Sequence, residues 1–323
     1  MAWPEGPDTV IRNVPADRLM RISQEAPIGE VGRIPLLSHL EQTVVLGRSY
    51  ADPVVFVQPI SKKGAQFAVP RITAVGKDRF SVRLQEAENH DGLHLPGEAV
   101  SWLVLERGTF VLGDRKLEVD ARVQGGAIWQ KVGLTMPFTA PAVIVSQTQS
   151  NNDPEMVLTR QNVVTKDILK FWLLVQESEA ETRAGDPHGE ERVGWLAVDA
   201  GTSSIGALPM LATKGAVSST LTTVHFSSPF SVPPALIGSI ATQKSIDTAA
   251  LRYKTLSAAD VSLRVEEDTT WDAETYHPAE TINLLAFGIG ASETATLLGS
   301  RVDWIKPGAS SLTSIESARS TSP

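Results

Sequence analysis

The feature that most constrains this chain is an internal triplication with a period of about ninety residues. Three apolar runs open with proline, PVVFV at Pro53, PAVIV at Pro141 and PALIG at Pro234, spaced by 88 and 93 residues. Three further runs, WLVL, WLAV and LLAF, are headed by Trp102, Trp195 and Leu284, spaced by 93 and 89. An arginine follows each opening run, at Arg71, Arg160 and Arg252. Next comes an alternating segment ending in acid: FSVRLQE, FWLLVQE and VSLRVEE. A loop then leads to His94, His188 and His277, and a glutamate stands four residues before each closing run, at Glu98, Glu191 and Glu280. Independent landmarks thus recur in the same order three times.

Each unit reads as β-structure. The runs are short, rich in β-branched and aromatic residues, and bounded by Gly, Pro, Asp and Ser. FSVRL alternates apolar and polar residues, which predicts one buried and one wet face. PVVFV and WLVL are continuously apolar, which suits central strands, and proline fits the first position of a strand. No segment carries the pattern and caps of a long amphipathic helix. The expected fold is all-β, three tandem small antiparallel β-sandwiches of about six strands each. The expected organisation is an N-terminal arm or attachment segment (1–28) and repeats over 29–112, 113–203 and 204–293. A last strand and a Ser/Thr-rich tail fill 294–323.

Composition narrows the function classes. Lys and Arg number 29 against 37 Asp and Glu, a formal net charge of −8, so the broad basic footprint of a nucleic-acid binder is absent. The absence of cysteine excludes disulfides, thiolate metal sites and thiol catalysis. There is no 18-residue apolar run, and no membrane insertion is expected. The N-terminal sequence lacks the basic and apolar regions of a classical signal peptide, so a protein working outside the cell would leave by lysis or a signal-independent route.

The order TVVL, PVVFV, Arg71, Phe80-x-Val82 and VSWLVLERG, with Val100 and Trp102, resembles the H-type lectin family. Val193, Trp195 and Ala197 match its closing strand in the second copy; the third has Leu284 for Trp but keeps Ala286. The resemblance covers roughly residues 29 to 293. It implies a six-stranded sandwich, frequent assembly as trimers (here, a homotrimer), sugar binding without catalysis, and no cofactor. The repeats also look like those in bacterial surface proteins and in tail fibres of phages or phage-like gene transfer agents. The family's arginine and loop histidine contribute to its sugar site, which points to Arg71 with His94, Arg160 with His188 and Arg252 with His277. The same recurrence suits a pair that merely fixes the last loop, and Glu98, Glu191 and Glu280, at invariant spacing, read as structural braces.

Other candidates stand outside the repeat pattern. Trp271 and Tyr276 lie in the loop EEDTTWDAETYH, where an aromatic face can stack on a sugar ring. Trp102, Trp195 and Trp172 read as core or packing residues. Glu86, Glu88, His90, Asp91 and His94 have donors suited to a divalent cation. The other copies do not keep that set, and a solvated loop is the preferred reading, with no metal assigned. Motifs for zinc proteolysis, serine hydrolysis, phosphate loops and dinucleotide binding are missing, and Glu266 and Glu267, as strand neighbours, point to opposite faces.

The expected function is binding of cell-surface polysaccharide or glycan by a tail fibre or receptor-binding component of a phage-like particle. Such a protein acts outside the cell after release and contacts other particle proteins through residues 1–28. The alternative is a structural spacer or attachment protein without sugar binding; a polysaccharide depolymerase ranks last.

Overall fold

The computed structural model describes residues 10–11, 19–126, 128–162, 168–185 and 187–305; the Ser/Thr-rich segment after residue 305 and the first nine residues lie outside them. Apart from one six-residue helix, Glu179–Ala184, the described regular structure is all antiparallel β except for one short parallel contact.

Each repeat builds two layers. In the first, a closing strand (Glu98–Glu106, Glu191–Val198, Glu280–Phe287) lies between two others. On one side is a lead strand (Leu19–Leu37, Arg115–Gln124, Leu208–Val217) and on the other an opening strand (Pro53–Phe56, Val143–Thr148, Ala235–Ile240). In the second layer the acid-ended strand (Arg79–Glu86, Lys170–Glu177, Asp260–Glu267) is central. It pairs with the arginine strand (Ala68–Val75, Val157–Asn162, Ala249–Leu256) and with a short outer strand (Gln42–Val45, Gln130–Gly133, Thr222–His225). Pro53 begins its strand as its missing N–H requires, whereas Pro141 and Pro234 stand just outside theirs.

A further strand completes each first layer, and it comes from the preceding repeat. Gly108–Leu112 pairs with Arg115–Gln124, and Gly201–Ile205 pairs with Leu208–Val217. Both joints are two-residue hairpins whose first turn residue, Gly113 or Gly206, has positive φ (62° and 58°), which favours glycine. At the third joint Thr294–Ile305 pairs with Leu19–Leu37. The three repeats therefore close into a ring with pseudo-three-fold symmetry, two joints covalent and the third made by strand pairing alone. Residues 19–28 belong to this sheet rather than to an arm. Leu19–Leu37 carries Pro27, Gly29, Gly32 and Pro35, yet stays paired because register shifts at Ile22/Glu25, Pro27/Gly29 and Ile34/Leu37 absorb the interruptions.

The closing strands explain why their sequences lack alternation: both faces are buried. Val100, Trp102 and Val104 point into the first repeat's own core, while Leu103 and Leu105 point into a central core shared by all three repeats. Trp195 and Leu284 occupy the position of Trp102 in their own cores. Phe80 meets Trp102 edge-on at 5.7 Å and Phe171 meets Trp195 at 5.4 Å. The third repeat has Val261 and Leu284 instead and packs Phe226 against Phe230, also at 5.4 Å. On the pseudo-three-fold axis, residues such as Val69, Leu158 and Ala250 surround a cavity of only about 30 Å³, roughly the room of one water.

The ring is sealed edge to edge by polar side chains. Gln149 accepts from Val55 N (2.7 Å) and donates to Val55 O (2.7 Å), while Gln147 accepts from Val57 N (2.6 Å), so two amides of the second repeat cap the opening strand of the first. Asn283 of the third repeat donates to Ile144 O of the second (2.8 Å), and Ser101 of the first accepts from Leu236 N of the third (3.0 Å). Ser101, Gly194 and Asn283 are the same position, the residue before Trp102, Trp195 and Leu284. Gly194 is required because a Cβ there would strike Val54 Cγ1 and lie 2.9 Å from Gln149 Cδ. Gly194→Leu is expected to cost about 1–3 kcal/mol by overpacking. A chemical melt measures this, and no change in midpoint would argue against so tight a joint.

Candidate functional site

Three copies of one buried polar cluster sit where neighbouring repeats meet. In the first, His94 Nδ1 lies 2.9 Å from Glu86 Oε1 and Nε2 lies 3.3 Å from Glu98 Oε1. Glu98 also accepts from the Ser61 hydroxyl, from Lys63 N (2.9 Å) and from Gly64 N (2.8 Å). The second copy repeats this with His188 between Glu177 (3.1 Å) and Glu191 (3.3 Å), and with Ser150 and Asn152 N on Glu191. The third has His277 between Glu267 (2.8 Å) and Glu280 (3.1 Å), with Thr242 and Lys244 N on Glu280.

The arginine of each cluster comes from the preceding repeat around the ring. Arg71 meets Glu191 at 2.6 Å, Arg160 meets Glu280 at 3.1 Å and Arg252 meets Glu98 at 2.9 Å. The expected groupings of Arg71 with His94, Arg160 with His188 and Arg252 with His277 are thus corrected. Arg71 joins His188, Arg160 joins His277 and Arg252 joins His94, in each case through the shared glutamate. Each guanidinium reaches across to the adjacent sandwich and meets the neighbour's glutamate; Arg252 also pairs with Glu266 of its own repeat (2.8 Å).

Burial decides what these groups can do. The side chains of all three arginines, all three histidines and Glu98, Glu191 and Glu280 have no exposed surface. A sugar arriving from solvent meets none of them, so their placement suits bracing between repeats and not direct ligand contact. Burial alone would raise the three carboxyls. The histidine, hydroxyl, backbone and arginine partners outweigh it and hold Glu98, Glu191 and Glu280 down at about 2. Burial would likewise lower His188, but Glu177 and Glu191 lift it to about 9. Glu267 goes the other way: burial, with Glu274 and Asp247 adding repulsion against the His277 bond, pushes it up to about 7.

Trp271 and Tyr276 are exposed, at 58 % and 70 %. Their loop is pinned at both ends. Asp268, fully buried, accepts from Glu179 N (2.6 Å) and Thr270 N (3.0 Å), and His277 is buried in its cluster. The helix Glu179–Ala184 of the second repeat docks on this loop, and Arg183 stacks over the Trp271 ring at 5.4 Å. Sequence reasoning missed this helix. Its signals are an N-cap at Ser178, which accepts from Glu181 N, and a left-handed Gly185, but one and a half turns leave no periodicity to read. Of the acidic first-repeat loop, Glu86 and His94 are buried against each other, Glu88 accepts from Met156 N (3.0 Å) and Asp91 from Leu93 N (3.0 Å); the five do not gather around one point. Trp102 and Trp195 are core residues, and Trp172 is partly exposed on its strand. Among the described residues no helix is long and apolar enough to cross a membrane.

Comparison with known proteins adds one finding. Over 270 residues, 79 % of the chain, the sequence is 30 % identical to Halomucin of Haloquadratum walsbyi (strain DSM 16790 / HBSQ001). The chain spans only 3 % of that protein's length. No family model matches the chain, and no solved structure matches it.

Proposed function

We propose that this chain is a non-enzymatic carbohydrate-binding adhesion module, with its contact surface on the 268–279 loop of the third repeat. The observation that carries the reading is the pair of exposed aromatic side chains, Trp271 and Tyr276, on a loop held at both ends by buried polar residues. A held loop presents rings at small entropy cost, and aromatic faces bury the apolar side of a sugar. The ligand is a cell-surface polysaccharide or glycan, and the setting is the outside of a cell or of a phage-like particle.

The test is binding of the full chain to a glycan and capsular-polysaccharide array. Trp271→Ala and Tyr276→Ala are expected to weaken binding at least tenfold while moving the thermal midpoint by no more than about 2 °C, as surface changes do. Failure to bind any glycan would favour the second reading, a structural spacer or attachment module. That reading draws on the burial of every arginine and histidine in the repeated clusters, and on the similarity to one short stretch of a far longer protein.

A further inference from the structure

The third repeat departs from its siblings in one place beside the aromatic loop. Asp247, Glu267 and Glu274 each offer a carboxylate oxygen to a common point, the three atoms lying within 4.8 Å of one another. Glu267 is only 4 % exposed. Its Oε1 is taken by His277 Nδ1 at 2.8 Å, and its Oε2 is buried with no hydrogen-bond partner among the described residues. A buried carboxylate oxygen without a donor is costly, and such a group in a folded protein calls for an ion or a water.

More acids than cations surround the group. Glu179, 4 % exposed, and Asp272 add further acids from the docked helix and the loop. Arg183 faces the group, bridging Glu179 (2.7 Å) and Asp247 (3.1 Å). His277, the other cationic candidate, has both ring nitrogens committed to Glu267 and Glu280. The remaining contacts are neutral: Ser245 on Asp247, and Tyr276 N on Glu274. In the second repeat the corresponding group is Asp153, Glu155 and His188, with an imidazole in place of a third carboxylate. In the first, Glu86 Oε2 likewise lacks a hydrogen-bond partner among the described residues, but no such group of carboxylates gathers around it.

We propose that Asp247, Glu267 and Glu274 form a binding site for a hard divalent cation of the calcium class. The donors are all oxygens from three carboxylates, with no sulfur and no free imidazole, which selects calcium or magnesium over zinc. Glu274 lies between Trp271 and Tyr276, so a bound ion would tie the middle of the aromatic loop to buried Glu267 and half-buried Asp247. If the loop binds glycan, as proposed above, affinity for glycan then rises with calcium; the metal site itself stands without that reading.

The experiment uses the full chain after treatment with EDTA and dialysis, titrated calorimetrically with CaCl₂ alone and then with MgCl₂ and ZnCl₂. Saturable binding of calcium near one equivalent, with a rise of several degrees in thermal midpoint, is expected. Glu274→Gln, on an exposed side chain outside the folding clusters, is expected to weaken calcium binding at least tenfold while leaving the metal-free midpoint unchanged. No saturable calcium or magnesium binding below 10 mM overturns the site. So does a Glu274→Gln variant that binds calcium like the parent, which would place the ion elsewhere, or a preference for zinc. Because no glycan is present, these outcomes are independent of whether the loop binds sugar.

Discussion

Arg252→Ala is expected to cost about 3–5 kcal/mol of folding stability, the range for breaking a buried ion pair from one side. Arg252 donates through Nε and Nη2 to Ser61 O (2.9 and 2.8 Å), through Nη1 to Glu266 (2.8 Å) and through Nη2 to Glu98 (2.9 Å). Its removal leaves Glu98 charged and walled off from water. It also acts at the joint between the third and first repeats, where no hairpin links the sandwiches. Guanidinium melts measure the loss. The double variant Arg252→Ala with Glu98→Gln is expected to recover part of it, because the stranded charge is gone although the cavity remains. A loss below about 1 kcal/mol for the single variant would mean that the pair does not hold the ring. Full additivity in the double variant would mean that the two residues act separately.

Acid is expected to dismantle the same three clusters together. Glu98, Glu191 and Glu280 sit at about 2 in the folded chain, against an ordinary value of 4.5. Between those values the unfolded chain binds more protons than the folded one, so the stability these groups supply is complete above about pH 4.5 and lost as pH falls toward 2. His188 carries the opposite sign. Its folded value of about 9 exceeds the ordinary 6.5, so its contribution is complete below about 6.5 and lost as pH rises through 9. Glu267, raised from 4.5 to about 7, has the sign of His188, and its contribution is lost as pH rises from about 4.5 through 7. Urea midpoints measured from pH 2 to 10 should therefore be highest at about pH 5 and fall on both sides, more steeply toward acid because three sites titrate there. A flat midpoint between pH 5 and 2 would show that the glutamates are not held by these contacts in solution.

Much of the architecture was readable one strand at a time. The unbroken apolar runs at Trp102 and Trp195 signalled strands buried on both faces, and the alternation in FSVRL marked a strand in a two-faced layer. Glu98, Glu191 and Glu280 read as braces from their fixed spacing, and they occupy buried joints. The pairing of the arginines was not readable. Sequence proximity puts Arg71 beside His94, but its partner Glu191 is 120 residues away, chosen by how sandwiches pack and not by any local pattern. Leu19–Leu37 was hidden for a different reason: its prolines and glycines look like breakers, and only the partner strands on either side show that bulges carry the pairing through. Gln147 and Gln149 gave no signal either, since an amide that substitutes for a strand's hydrogen bonds has no sequence signature.

The covalent hairpins at Gly113 and Gly206 have an effect beyond fastening the repeats. Three identical chains in a ring must carry identical surfaces, and any change in one loop appears three times. A single chain is free of that rule. The joints here remain alike, an arginine, a histidine and a glutamate in every copy, while the loops differ. The second repeat grew a helix, and the third replaced its core tryptophan and carries Trp271, Tyr276 and the carboxylate group around Glu267. The charged braces are kept in every copy while loops, seals and one core position vary, so one copy can specialise while the other two hold it in place.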